Sequence, residues 1–181
     1  MHSAIQEFAA AFAETASAVR TDQLSERTPC DKFSVAELLA HLGEVLPSSE
    51  RAARKQPQTS AGSVTAPDEV AQSARRAAAA WGEADAYEGT TEFGPGEMPA
   101  EFAAAITLQE LALHGWDLAR ATGRPFTVGD DASKVALAVV EQLADNARAN
   151  GAYGPAVAVP ADASAFHRAL ALSGRNPGWG A

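Results

Sequence analysis

The chain has 181 residues, 46% of them apolar and many of those alanine, enough to bury a sizeable core in one domain spanning 1–181. A formal net charge of −9 argues against nucleic acid as a partner, and the apolar runs are too short, and the basic stretches too few, for a membrane. The single cysteine, Cys30, rules out an intrachain disulfide and a cysteine zinc finger, and the N-terminal residues carry no signal-peptide pattern, so a soluble cytoplasmic protein is expected.

In chain order the sequence reads as a run of helices. Ile5, Phe8, Phe12 and Val19, with alanines between, set a helical apolar stripe over about residues 3–20. A polar connector holding Pro29 follows. Ser34 to Glu37 reads S-V-A-E, a capping-box pattern. Behind it Val35, Leu38, Leu39, Leu42 and Val45 form the apolar side of a second helix, expected over about 35–46 with its stop at Pro47. Residues 48–66 are polar, without period, and expected as loop. Pro67 with Asp68 and Glu69 opens a third helix to about residue 86, with Val70, Ala74, Ala77 or Ala78 and Trp81 inward. Residues 87–96, rich in glycine, read as a second long loop. The fourth helix covers about 99–122 and ends at Gly123. A fifth starts at Asp130 and Asp131, with Val135, Ala138, Val139 and Leu143 along one side. Residues 154–160 suggest a short extended strip or an irregular wall. A last helix over about 162–173 stops at Gly174, leaving 175–181 as loop. The pattern is all-α, an up-and-down style four-helix bundle with additional C-terminal helices packed outside it.

Two polar anomalies interrupt the apolar faces. Glu110 and His114 are four residues apart in the fourth helix, one turn apart on one face, with Ile106 and Leu113 close by. His41 lies on the apolar side of the second helix, three residues after Leu38 and four before Val45. A charge turned inward is costly without a partner, and a divalent metal takes imidazole nitrogen and carboxylate oxygen. Two histidines and one carboxylate leave a coordination position open to water or substrate, as catalytic sites do. Zinc suits the set best, and nickel, iron or manganese also fit.

Other polar residues near this face are ambiguous. Asp117 is either a further ligand or an acceptor for an imidazole N–H. Glu44, one turn after His41, reads as a solvated helix-end acid able to line the site. Arg120 and Arg124 follow His114 and are either solvated or aimed at an anionic substrate group. His2 and His167 read as solvated, and Cys30 as buried packing beside Pro29. No nucleophile elbow, Walker loop or dinucleotide fingerprint is present, so no catalytic residue is assigned beyond the metal set.

The stretch T-P-C-D-K-F-S-V-A-E-L-L-A-H-L-G, Thr28 to Gly43, resembles the entry segment of the mycothiol-dependent maleylpyruvate isomerase-like family, part of the DinB-like superfamily of metal-binding four-helix bundles. Glu110 to Arg124, E-L-A-L-H-G-W-D-L-A-R-A-T-G-R, is similar to that family's second motif. The tail from Phe166 to Trp179 resembles the end of a short actinobacterial branch. The resemblance implies that His41, Glu110 and His114 hold the metal, the same three residues reached from periodicity. Phe33 stands where the family usually has Trp. The full isomerases add a C-terminal α/β domain that supplies a catalytic arginine, and this chain is too short to hold it.

The resemblance further implies a small-molecule thiol, mycothiol, as cosubstrate and an electrophilic partner substrate, in a thiol S-transferase or isomerase type of reaction. A non-catalytic metal-binding protein, with the site structural or sensory, is the alternative. A homodimer is left open.

Overall fold

The computed structural model describes residues 1–59, 64–94 and 96–180. Its helices are α1 (His2–Ser17), α2 (Val35–Ala53), α3 (Pro67–Ala80), α4 (Ala100–Gln109), α5 (Gly115–Ala121), α6 (Asp130–Ala149) and α7 (Ala165–Leu172). A π-turn over Glu110–His114 joins α4 to α5 without a break, so the pair forms one long helix. Strands β1 (Thr90–Phe93) and β2 (Gly96–Pro99) make an antiparallel hairpin.

Four elements close a ring. α1 packs on α3, α3 on α2, α2 on α4, and α5 returns to α1. The fold is an all-α, DinB-like four-helix bundle. α1 and α2, neighbours in sequence, stand across the bundle with α3 between them, so its winding is not the simple up-and-down order expected. The long connections 18–34 and 81–99 let the chain cross the bundle ends. Ile5, Phe8 and Phe12 from α1, Leu38, Leu39, Leu42 and Leu46 from α2, Trp81, and Leu108, Leu111 and Leu118 are fully buried in its centre. α6 and α7 pack on each other, with α6 also against α1 and α4, as extra helices outside the ring. α5 is therefore enclosed, and every residue from 111 to 119 is buried.

α2 begins where expected. The Glu37 carboxylate accepts from the Ser34 N–H at 2.8 Å and the Ser34 hydroxyl from the Glu37 N–H, completing the capping box. It does not stop at Pro47 but runs through it to Ala53. Interior proline costs about 3 kcal/mol, and the burial of Leu46, Ser49, Ala52 and Ala53 on the continuing inner face outweighs it. Ser49 carries part of that contact, since its hydroxyl meets the Thr107 hydroxyl at 2.7 Å and accepts from the Trp81 indole N–H at 2.9 Å.

Gly43 is required by a close approach. A Cβ there would stand 1.6 Å from the Val64 carbonyl oxygen, which crosses α2 at this point.

Two further expectations are corrected. The loop expected at 87–96 is largely the β1–β2 hairpin, tied to the end of α2 by the Thr91 hydroxyl, which donates to the Ala52 carbonyl at 2.6 Å. α3 ends at Ala80 rather than near residue 86, and a short 3-10 turn, Ala84–Tyr87, follows. Residues 154–160 form neither helix nor strand, and the Val157 N–H bonds the Ala171 carbonyl at the end of α7.

Candidate metal centre

The inner faces of α2 and the π-turn bring His41, Glu110 and His114 together. Their donor atoms lie within 4.8 Å of one another. His41 Nε2 donates to Glu110 Oε2 at 2.9 Å, and His114 Nε2 is 3.6 Å from the same oxygen. Donors sharing one ion at bond lengths of about 2.0–2.2 Å stand roughly 3.3–3.6 Å apart, so the cluster has the right scale for a divalent ion. The π-turn inserts an extra residue into the ladder at this point, a device common where a helix carries function.

Each member is held from behind. Asp117, fully buried, accepts from His114 Nδ1–H at 2.9 Å. Since a carboxylate can only accept, Nδ1 carries a proton, and Nε2 is the nitrogen turned towards Glu110. The Phe33 ring stacks on His41 with centroids 5.0 Å apart and meets His114 edge-on at 5.8 Å. Thr28, whose hydroxyl donates to the carbonyls of Cys30 and Phe33, folds the loop that carries this ring. Behind Glu110, the Tyr153 hydroxyl donates to Gln109 Oε1 at 2.7 Å and the Gln109 amide donates to Glu110 Oε1 at 3.4 Å.

The charges reinforce the geometry. Burial pushes the His41 pKa down, but the hydrogen bond to Glu110, its charge and that of Glu44 carry it above the ordinary histidine value. Burial raises the Glu110 pKa, and the hydrogen bond from His41 with the charges of His114, His41 and Arg175 outweighs that and keeps it low. Asp117 follows the same pattern, with Arg175 as the main opposing charge.

The cluster opens into a small cavity of about 130 Å³, lined among others by Cys30, Lys32, Phe33, Leu113, Ala152, Tyr153 and Arg175. On its other side Glu110 also borders an apolar trough of about 330 Å³ with Glu44, Val45, Ser48, Phe93, Met98 and Ile106. Phe93 and Met98 bring the hairpin to the edge of this trough; residues 60–63 of the polar loop expected at 48–66 lie outside the described residues. A larger cleft of about 600 Å³ near Met1, Tyr87 and Phe102 offers one carboxylate, Glu101, and no imidazole.

Residues 5–119 match the family described as the mycothiol maleylpyruvate isomerase N-terminal domain. The chain belongs to this family. An uncharacterised Mycobacterium tuberculosis protein, present in two strains, is 30% identical over 139 residues, covering 74% of this chain and 73% of the relative. The crystal structure of the mycothiol-dependent maleylpyruvate isomerase superposes with a TM-score of 0.56 at 15% identity, over 77% of this chain and 67% of that one, and a mutant of the enzyme does so at 14%. At that identity the match speaks for the fold. The family span takes in His41, Glu110, His114 and Asp117 and leaves out everything beyond residue 119.

What the maleylpyruvate isomerase-like span omits matters here. Arg175 enters from the tail read as loop and lies 6% exposed against Asp117, to which it donates from Nε at 2.9 Å and Nη2 at 2.7 Å. Gly174 makes this entry possible, with φ +90 and so close to Gly154 that a Cβ would meet its Cα at 2.7 Å. A buried Asp117 beside an imidazole calls for a cation, and that was the only local signal for Arg175. Cys30 is half-buried, its thiol pKa raised by burial, yet it lines the cavity instead of serving as packing alone.

Arg120 and Arg124 are not brought to the cluster. Arg120 donates from Nε to the Trp179 carbonyl at 3.0 Å and so clamps the tail, while Arg124 donates to the Ala18 carbonyl at 3.2 Å. Glu44 borders the trough and acts on His41 only through its charge. His167 is exposed and is not among the grouped donors, and His2 is exposed with Nδ1 3.1 Å from the Trp81 carbonyl.

Proposed function

We propose that His41, Glu110 and His114 hold one divalent ion, zinc best matching the donors, and that the protein is a mycothiol-dependent S-transferase or isomerase-type enzyme. The observation that carries this is the convergence of three inward donors from two helices within 4.8 Å. The ion, when bound, would supply an open position at which a small thiol ionises near neutral pH. The residues of the chain do the rest. Asp117 fixes the His114 tautomer, Phe33 holds the His41 ring, and the Tyr153–Gln109 chain orients Glu110. The 130 Å³ cavity beside the donors would admit the sulfur end of the thiol, and the trough would take the electrophile. On this reading 1–181 acts as one unit in the cytoplasm, with small molecules as its partners. The maleylpyruvate reaction itself is not part of the proposal.

A second reading, a metal site kept for stability or sensing, is favoured by one observation. Both cations lining the cavity are engaged, Lys32 with the Gly151 carbonyl and Arg175 with Asp117. A conjugation assay with mycothiol and a generic aryl electrophile separates the two. Turnover abolished by a chelator and restored by zinc supports the enzyme. No turnover, with a large drop in melting temperature on metal removal, supports the second reading.

A further inference from the structure

Two overlapping donor sets share His114. Besides His41, Glu110 and His114, the atoms of Cys30, His114 and Asp117 also lie within 4.8 Å of one another. The carboxylate of this second set, Asp117, lies on the Nδ1 side of the same imidazole, where it accepts. The second set is the softer one, and a thiolate is as good a zinc ligand as a carboxylate. Donor chemistry alone therefore does not select between the two.

A cation already stands on that side. The Arg175 guanidinium donates to both Asp117 oxygens and to the Ser173 hydroxyl, and Nη2 comes to 3.5 Å from His114 Nδ1. Both lone-pair faces of the carboxylate are engaged by this two-pronged contact. Cys30 and Arg175 line the same cavity, and the cationic charge is felt at the thiol. A second positive ion here would meet a buried like charge at close range, where repulsion is strong. With Asp117 held, His114 keeps its proton on Nδ1 and offers only Nε2, towards His41 and Glu110.

Resting on the metal reading above, we propose that Arg175 is a positioning residue that keeps the Cys30–His114–Asp117 set closed, so that a divalent ion loads only on His41, Glu110 and His114. Its place in the tail, delivered by the Gly154–Gly174 contact, makes the end of the chain part of the centre.

Cobalt(II) reads the outcome directly, because a bound thiolate gives an intense near-ultraviolet charge-transfer band that nitrogen and oxygen ligands do not. The full-length protein, stripped and reloaded with one equivalent of cobalt(II), should give visible ligand-field bands and no thiolate band. Arg175→Met, which keeps the buried stem, should gain the thiolate band, and Cys30→Ser in that background should abolish it. Arg175→Gln serves as an independent variant should the Met form not fold. A thiolate band in the wild-type protein that Cys30→Ser removes overturns the proposal without any Arg175 variant. Cobalt bound in the wild type, with identical thiolate-free spectra in both Arg175 variants, overturns it and leaves the metal reading standing. No cobalt uptake by the wild type sinks both.

Discussion

His114 donates its Nδ1 proton to Asp117 across 2.9 Å, and this one contact turns its other nitrogen towards Glu110 and His41. The pair is three residues apart on one helix, so the orientation is built locally and then locked by Arg175. Asp117→Asn should keep the shape but weaken the acceptor and leave Arg175 without its counter-ion. Zinc affinity, read by competition with a chromophoric chelator, is expected to fall on the order of 10–100-fold. An unchanged affinity would mean that the tautomer is fixed by something other than Asp117.

Metal content tests the ligand set itself. Purified protein supplied with zinc should carry close to one ion per chain. His41→Ala, Glu110→Ala and His114→Ala should each lower that occupancy, and His167→Ala, on an exposed surface, should not. If His167→Ala strips the ion while His41→Ala leaves it, the assignment is wrong.

The convergence of His41, Glu110 and His114 is legible in the sequence because its signals are local. His41 interrupts an apolar stripe of period 3.6, and Glu110 and His114 share a face by spacing alone. Arg175 could not be found that way, since it reaches Asp117 across 58 residues by way of a glycine-glycine contact that has no periodicity. Pro47 misleads because a local rule ends the helix there while burial of Leu46 to Ala53 continues it. The hairpin is obscured by its glycines, and it is held by the Thr91 bond to α2, a tertiary contact.

Gly174→Ala should act at a distance on the centre. A methyl group there collides with Gly154 backbone atoms at 2.7–2.9 Å, in a backbone region with φ +90 that alanine disfavours. The turn that delivers Arg175 would then shift. The expected result is a lowered melting temperature together with weaker zinc binding, measured on the same preparation. A lowered melting temperature with full zinc affinity would show the tail to be dispensable for the site.

The pH dependence of stability should differ in sign between the stripped and the loaded protein. In the stripped protein the His41 pKa is raised, because the Glu110 bond and charge outweigh burial. A raised histidine pKa contributes stability that is complete below the unfolded value of about 6.5 and is lost as pH rises through the folded value. Glu110 and Asp117 are depressed. Their contribution is complete above the unfolded carboxylate range of about 4 and is lost as pH falls through their folded values. The stripped protein should therefore be most stable between about pH 4.5 and 6.5 and weaken above it. Loading reverses the upper limb, because His41 must lose its proton to become a ligand, so the ion competes better as pH rises. The gap in melting temperature between zinc-loaded and stripped protein should widen steadily from pH 5 to pH 8. A gap that stays flat across that range would mean that His41 does not exchange a proton for the metal. The ligand set would then have to be sought without it.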